Sequence, residues 1–93
     1  MKYQLKTTTK FRKDLKLMKK RGMNVKLLTD VVDMLLDGQQ LPEKYRDHGL
    51  SGKYKGFREC HIQPDWLLIY LVNETELILT TVRTGSHADL LGM

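Results

Sequence analysis

Apolar residues near the N-terminus repeat with the period of an α-helix. Phe11 and the apolar residues four and seven positions later predict an amphipathic helix that ends near Gly22. The apolar positions between residues 27 and 36 repeat in the same way and predict a second helix with a broader apolar face. A weakly alternating segment, residues 2–7, precedes both helices and predicts a short strand.

After Gly56 the pattern changes to the two-residue period of β-strands. Turn residues such as Pro64 separate three apolar or alternating segments, and the middle one is apolar throughout, as expected of a central strand. Residues 38–55, which are rich in turn formers and charge, predict an extended connection between the second helix and these strands. The predicted strands are residues 57–62, 66–72 and 76–83, and residues 88–91 predict a short C-terminal helical turn.

The order of these elements, β-α-α-β-β-β, indicates an α+β fold. Short connections between the three consecutive strands imply an antiparallel meander. The helices need the sheet to cover their apolar faces, so the prediction is a twisted antiparallel sheet packed against two N-terminal helices. Because the chain has only 93 residues and no linker or repeat, we expect one domain over residues 1–93.

Composition excludes several classes of protein. The longest apolar run has seven residues where a membrane span needs about 20, and the N-terminus resembles no signal peptide, so we expect a cytoplasmic protein without membrane contact. A single cysteine, Cys60, cannot form an intrachain disulfide. The fold must therefore depend on its own core or on a partner.

The formal charge of +5 is unevenly distributed along the chain. Residues 1–26 carry ten basic residues and one acidic residue, a net +9, whereas residues 27–93 carry six basic and ten acidic, a net −4. Both the first helix and a smaller cluster at residues 44–58 could face a polyanion such as RNA, although basic faces are often simply solvated. The candidate contacts are Lys10, Arg12, Lys13, Lys16, Lys19, Lys20, Arg21, Lys53, Lys55 and Arg58.

Residues suited to acid–base chemistry converge at one edge of the predicted meander. The end of its first strand, the start of its second and the end of its third must lie together there. The sequence places His61 and Asp65 at the first two of these points, and Arg83 and His87 at the third. Alternation also puts Glu59 on the same face as His61. His48 lies in the long connection, where the meander predicts no position for it.

Each of these residues also has an ordinary structural explanation. A lone strand histidine is more often hydrogen-bonded than catalytic, Pro-Asp is a common turn pair, and Trp66 is more often part of a core than a base-stacking platform. No two histidines have the spacing of a structural zinc site and there is only one cysteine, so no metal or other cofactor is expected. Their convergence nevertheless indicates a site.

Histidine, a carboxylate and arginine without a metal are suited to cleaving RNA through its own 2′-hydroxyl. One group removes the 2′-OH proton, another protonates the departing 5′ oxygen, and a cation stabilises the charge on the pentavalent phosphate. Histidine suits both proton transfers near pH 7, and DNA lacks the attacking hydroxyl. These residues are suited to RNA cleavage, but other reactions can use the same residue types.

Residues 45–70 and 83–87 closely resemble the YafQ-like branch of the RelE/ParE superfamily of bacterial toxins. They contain D-H-x-L-x-G, R-x-x-H-I-x-P-D-W-L-L-I-Y and R-T-G-[ST]-H motifs in order, over about half the chain. The resemblance implies a RelE-like microbial RNase fold. It also implies a metal-independent endoribonuclease that cuts mRNA in the ribosomal A site, inhibits translation and is neutralised by an antitoxin.

The resemblance also assigns residue roles. The acid–base positions fall on His48, His61, Asp65 and His87, with Arg83 as a phosphate-stabilising cation and with Glu59, Trp66 and Leu91 beside the site. Which group is the acid stays open at this point; we favour His87 as acid and Asp65 or His61 as base. Relatives often have an aromatic residue just after the last histidine, where this chain has Leu90 and Leu91, so the codon preference is also left open.

The partners implied by the resemblance are a cognate antitoxin of the DinJ/RelB-like kind encoded beside the toxin, the 70S ribosome and mRNA. Operator DNA would be bound only through the antitoxin complex. The basic first helix would contact ribosomal RNA or an acidic antitoxin segment that folds on binding. Two alternatives are a ParE-like toxin that targets gyrase, and a non-catalytic basic nucleic-acid-binding module.

Overall fold

The computed structural model describes residues 1–92 and contains three helices and five strands. The last residue of the predicted domain, Met93, lies outside the described residues. The elements are β1 (Gln4–Thr7), α1 (Thr9–Lys20), α2 (Val25–Leu36), β2 (His48–Gly49), β3 (Arg58–Gln63), β4 (Trp66–Asn73), β5 (Ile78–Gly85) and α3 (His87–Leu91). None of the helices in residues 1–92 is long and apolar enough to cross a membrane. The α+β class and both N-terminal helices are confirmed.

Side chains cap both long helices. Thr8 Oγ1 accepts a hydrogen bond from the Phe11 N–H at 2.9 Å and caps α1. Asn24 Oδ1 accepts from the Lys26 N–H at 3.1 Å and caps α2. After α2, Gly38 adopts φ +78°, a left-handed conformation that glycine takes without steric cost. The helix bounds therefore follow from local chemistry that the sequence already displays.

The strands form one sheet in the order β1-β5-β4-β3-β2. The predicted meander is confirmed, because β3, β4 and β5 pair antiparallel and β4 is central. The expectation of a wholly antiparallel sheet is wrong: β1 pairs parallel with β5, Gln4 lying opposite Ile78, so the sheet is mixed. A parallel partner so distant in sequence leaves no local signal, since only the tertiary fold brings the two strands together.

Residues 38–55 are more ordered than the predicted extended connection. They contain two short 3-10 turns, Glu43–Tyr45 and Gly52–Tyr54, and the two-residue strand β2. In β2, His48 lies opposite Glu59 and Gly49 opposite Arg58. Strands this short carry too few residues to show a two-residue period, which explains why the pattern did not predict them.

A bulge in β5 determines which face Arg83 occupies. Thr81 lies opposite Tyr70 and Arg83 opposite Ile69, so Val82 is an extra residue between two paired positions. With strict alternation, Thr81 and Arg83 would share a face. The extra residue instead turns Arg83 to the other face, which is a known use of bulges near functional sites.

The sheet has two unlike faces. We call the side carrying Cys60, Leu68, Tyr70 and Leu79 the helix-covered face, because these residues share one apolar core with α1 and α2. The opposite side is the open face; it has a smaller cluster of Leu67, Ile69 and Leu90. By register, the open face carries the polar residues His48, Glu59, His61, Thr80 and Arg83.

The start of α1 completes the β5 edge that β1 is too short to pair. After β1 ends at Thr7, Thr8 Oγ1 donates to the Val82 carbonyl at 2.6 Å. Asp14 Oδ2 then accepts from the Thr84 N–H at 3.2 Å. Helix side chains thus satisfy backbone groups that would otherwise remain unpaired beside the core.

Candidate active site

His87 and Asp65 form the best-defined pair on the rim of the sheet. One carboxylate oxygen, Asp65 Oδ1, lies 2.7 Å from His87 Nδ1 and accepts from the His87 backbone N–H at 3.0 Å. Because an ionised carboxylate only accepts, Nδ1 is the protonated nitrogen, and Nε2 is the one available to a substrate. These bonds, chiefly the backbone one, lower the pKa of Asp65.

The short helix α3 that begins at His87 is fixed at its N-terminus. Ser86 and Asp89 form a reciprocal capping box, in which Ser86 Oγ accepts from the Asp89 N–H at 3.1 Å and Asp89 Oδ2 accepts from the Ser86 N–H at 2.9 Å. Arg21, at the end of α1, donates twice to Asp89, at 2.6 and 3.1 Å. These contacts lower the pKa of Asp89 and connect the basic helix to the helix of His87.

Glu59 is a buried carboxylate between two histidines. It is only 4% exposed, and its Oε1 lies 3.5 Å from His48 Nε2 and 3.7 Å from His61 Nε2. The other oxygen, Oε2, is buried and has no hydrogen-bond partner among the described residues. A buried carboxylate is costly without partners, and the two histidines are the side chains that compensate the burial of Glu59.

His48 is held in place by the segment that precedes it. Its Nδ1 lies 2.7 Å from the Arg46 carbonyl, which can only accept, so Nδ1 donates and Nε2 faces Glu59. Arg46 has φ +49°, an uncommon left-handed conformation for a residue with a side chain. This kink after the first 3-10 turn supplies the position of His48 that the meander could not predict.

The structure brings all three histidines together. The ring centroids of His48 and His61 are 6.5 Å apart, and those of His61 and His87 are 5.6 Å apart. With Asp65 beside His87 and Glu59 beneath the other two, the five groups form one continuous set. Such a set can supply both an acid and a base to one substrate.

Arg83 does not join this set. It lies on the open face, but its guanidinium donates to the Asp14 carboxylate at 2.7 and 3.1 Å, across the edge of the sheet. That ion pair raises the pKa of Arg83. Across the sheet, Ile69 of β4 lies between Arg83 of β5 and Glu59 of β3. The structure therefore gives Arg83 a structural partner, and its predicted role on phosphate stays a prediction.

Trp66 and Leu91, which were expected beside the site, differ in exposure. Trp66 is 1% exposed and belongs to the helix-covered core, so its ring offers no stacking surface. Its Nε1–H donates to Thr84 Oγ1 at 2.9 Å, and that hydroxyl donates to the Leu67 carbonyl at 2.7 Å. Trp66 thus ties β4 to β5 beside the rim. Leu91 is 39% exposed.

Some of the residues predicted to contact RNA form hydrogen bonds or ion pairs within the protein, whereas the others face solvent. Arg21 pairs with Asp89, Arg12 donates to Thr7, and Arg58 pairs with Asp47. Arg58 lies on the helix-covered face, opposite Tyr70, and its ion pair raises its pKa. The exposed lysines in this set are Lys10, Lys13, Lys16, Lys19, Lys20, Lys53 and Lys55. Seven solvent-facing ammonium groups therefore remain as candidates for phosphate contact.

Sequence reasoning missed three contributors to this site. Asp14, which engages Arg83, gave no signal because the contact spans 69 positions of the chain. The Arg46 carbonyl depends on an unusual backbone conformation that composition does not show. The Ser86–Asp89 capping box could have been found, since S-x-x-D before an apolar pair is a known helix-start pattern. Among residues 1–92, no group of three or more His, Cys, Asp or Glu side chains is placed to hold a metal ion.

Comparison with known proteins gives consistent matches over nearly the whole chain. Residues 3–92 match the family described as "Bacterial toxin of type II toxin-antitoxin system, YafQ". The "mRNA interferase toxin YafQ" of Escherichia coli (strain K12) is 41% identical over 83 residues, which is 88% of each chain.

Solved structures agree in fold. A crystal structure of the E. coli DinJ–YafQ complex contains a chain that superimposes with a TM-score of 0.89 at 36% identity, covering 97% of this chain and 99% of that one. A metal-bound toxin from Helicobacter pylori also gives a TM-score of 0.89, at 48% identity over 95% and 98% of the two chains. The chain therefore belongs to the YafQ family of toxins from bacterial type II toxin–antitoxin systems.

Proposed function

We propose that this toxin is an mRNA interferase: a ribosome-dependent, metal-independent endoribonuclease that cleaves mRNA in the A site and thereby inhibits translation. One observation carries the proposal. His87 is oriented by Asp65 through both its backbone N–H and Nδ1, and its ring lies 5.6 Å from that of His61. Two histidines at this separation can act on the two sides of one phosphodiester.

His87 is the general acid in this mechanism. Asp65 holds the Nδ1 proton, which presents Nε2 to the 5′ oxygen that departs and stabilises the ring when it carries a proton. As the 2′ oxygen forms its bond to phosphorus, the bond from phosphorus to the 5′ oxygen breaks and takes the proton. The products are a 2′,3′-cyclic phosphate and a 5′-hydroxyl.

His61 is the general base, in preference to Asp65. The hydrogen bonds from His87 lower the pKa of Asp65, and a carboxylate that is stabilised in this way is a weaker base. His61 is partly exposed and has the buried Glu59 behind it, which stabilises the proton that the ring receives from the 2′-hydroxyl. His48 makes the same contact with Glu59 and would share that proton.

The ribosome and the antitoxin are the proposed partners. Seven exposed lysines supply sequence-independent contacts to ribosomal RNA, and the ribosome presents the mRNA to the small rim of catalytic groups. The E. coli relative forms a complex with DinJ, so a DinJ-type antitoxin encoded nearby is expected here. Binding of operator DNA is proposed only for the toxin–antitoxin complex, and the cytoplasm is the proposed location.

The decisive test is cleavage-site mapping on mRNA bound to 70S ribosomes, with wild-type protein beside the His87→Ala variant. We expect cuts at fixed positions within A-site codons for the wild type, and a rate lower by about 10²- to 10⁴-fold for the variant. A matched control, Lys26→Ala, changes an exposed residue on α2 whose ammonium pairs with Asp30, so its rate should stay unchanged.

Four results would contradict the proposal. Cleavage of ribosome-free RNA at the same rate would exclude ribosome dependence. Gyrase–DNA complexes with intact mRNA would identify a gyrase poison, and unchanged toxicity of His87→Ala would indicate a non-catalytic nucleic-acid-binding module. Finally, a rate that falls in a metal chelator and returns with added metal would contradict metal independence.

A further inference from the structure

A cleft of about 640 Å³ opens beside the rings of His61 and His87. One wall is the first 3-10 turn, which ends in Tyr45 and is followed by Arg46. The other wall is the end of β3 together with His87. The polar and aromatic lining consists of Lys44, Tyr45, Arg46, His61, Gln63 and His87. The cleft is therefore continuous with the proposed catalytic groups but extends beyond them.

The β3 side of this cleft is an unpaired strand edge. β4 occupies one edge of β3, and on the other edge the short strand β2 pairs only with Arg58 and Glu59. Within residues 1–92, no strand pairs with that outer edge beyond Glu59. Backbone donors and acceptors on that edge need partners from outside the sheet. The edges of a nucleobase carry donors and acceptors that can satisfy them.

The lining also has the charge and the aromatic surface that a nucleotide requires. Lys44 and Arg46 are exposed at the mouth of the cleft, and none of its lining residues is acidic. Tyr45 is half-buried, with the Lys44 Nζ 5.1 Å from its ring centroid. Cations beside a partly exposed aromatic ring are the usual features of a site that stacks a base and holds its phosphate.

We propose that this cleft binds the nucleotide next to the scissile phosphate, with its base stacked on Tyr45 and its phosphate held by Lys44 and Arg46. The inference rests on the proposed ribonuclease function. It makes Tyr45 a base-stacking residue, which contributes affinity for any of the four bases. It also supplies an aromatic contact in a chain whose residues after the last histidine, Leu90 and Leu91, cannot stack.

The test uses a 2′-O-methyl trinucleotide with 2-aminopurine at its centre, which the protein cannot cleave because the attacking hydroxyl is blocked. Stacking on Tyr45 should quench the fluorescence of the bound base. Tyr45→Leu should weaken binding by roughly 5- to 140-fold and remove the quenching, because base–aromatic stacking contributes about 1–3 kcal/mol. Tyr45→Phe retains the ring and should bind within about twofold of wild type.

Tyr54→Leu is the matched control. Tyr54 also ends a 3-10 turn and has a lysine Nζ 5.3 Å from its ring, but it packs beside Phe57 on the open face and does not line the cleft. This variant should bind the trinucleotide as wild type does. The double substitution Lys44→Glu and Arg46→Glu reverses both charges, so it should weaken binding of the trinucleotide. Because both side chains are exposed, the fold should not be affected.

Wild-type affinity in the double-glutamate variant, or an equal loss of affinity in the Tyr45→Leu and Tyr54→Leu variants, would overturn the inference. So would loss of antitoxin binding in the cleft variants with trinucleotide affinity retained, since the cleft would then belong to the antitoxin. Because the ligand cannot be cleaved, its binding is measured independently of catalysis. An inactive protein that still binds it through Tyr45 would contradict the ribonuclease proposal alone.

Discussion

The two faces of the sheet differ in what their buried positions contain. On the helix-covered face, α1 and α2 cover an apolar core that includes Trp66, Leu68 and Tyr70. On the open face, one short helix covers part of a much smaller apolar cluster, and the remaining space holds three histidines and the buried carboxylate of Glu59. A single sheet therefore has one face that supplies most of the apolar core and another that carries the proposed catalytic groups.

This difference explains how so small a protein can hold a costly site. Glu59 has an unpartnered buried oxygen, and such groups reduce the stability of the fold. Cys60, the next residue along β3, points to the helix-covered face, where burial raises its pKa to about 12 and keeps its thiol protonated. Glu59 and Cys60 are thus neighbours in one strand but lie on opposite faces. Mutations on the two faces should therefore affect activity and stability separately.

The largest expected effect on stability comes from the helix-covered face. Leu68 is fully buried in that core, so Leu68→Ala should lower the free energy of unfolding by about 2–5 kcal/mol. Urea denaturation followed by circular dichroism would measure it. At a temperature where the variant remains folded, its mRNA cleavage rate should stay close to wild type. A large rate loss in fully folded protein would show that the faces are not separate.

Glu59→Gln should lower the cleavage rate without lowering stability, the reverse of Leu68→Ala. The amide preserves the shape but removes the buried charge, so cleavage on ribosomes should fall on the order of 10²-fold as His48 and His61 lose their anchor. Because the substitution removes a buried carboxylate, one oxygen of which has no hydrogen-bond partner, the free energy of unfolding should stay equal or rise. A variant that is both active and less stable would assign Glu59 to the core instead.

Substitutions of Arg21 and Lys20 test whether the basic residues at the end of α1 all have the same role. Arg21→Ala removes the contact with Asp89 that fixes α3, so it should lower kcat and leave the salt dependence of ribosome binding unchanged. Lys20→Ala removes an exposed ammonium, so it should raise KM and reduce the slope of log K against log salt by about one. Kinetics at several salt concentrations would compare them. Identical profiles would mean that both residues act only through charge.

The smallest expected effect is a shift in the titration of Asp65. Its pKa is lowered chiefly by the His87 backbone N–H and then by the His87 ring. His87→Ala removes only the ring, so the pKa should rise part of the way toward its ordinary value. In the wild type, the hydrogen bonds between Asp65 and His87 should persist as pH falls until the lowered pKa of Asp65 is reached. Carboxyl ¹³C NMR titration of both proteins would measure this, and an unchanged pKa in the variant would contradict the ring contact.

Periodicity predicted the parts of the molecule that depend on local sequence. Both long helices and the β3–β4–β5 meander follow from the spacing of apolar residues along the chain. The shared edge of the meander also brought His61, Asp65 and His87 together correctly. These predictions succeeded because sequence neighbours determine them.

The remaining features depend on contacts that are distant in sequence or on single backbone conformations. The parallel pairing of β1 with β5 and the ion pair of Arg83 with Asp14 join opposite ends of the chain. The bulge at Val82 and the left-handed Arg46 reorient a side chain and a carbonyl without any compositional signal. Residue patterns therefore predicted that His61, Asp65 and His87 lie together, but not how each is held, nor that Arg83 pairs with Asp14 instead of joining them.

The parallel pairing of β1 with β5 also sets the order in which a newly made chain can fold. The first strand to be synthesised has its partner in the last, Gln4–Thr7 lying beside Ile78–Thr81. His87 follows β5 and needs Asp65 and α3 around it. Contacts so distant in sequence form late, and the N-terminal segment must wait for them during synthesis. The residues from Gln4 to Leu91 must therefore all be synthesised before the chain can hold the arrangement proposed to act on ribosomes.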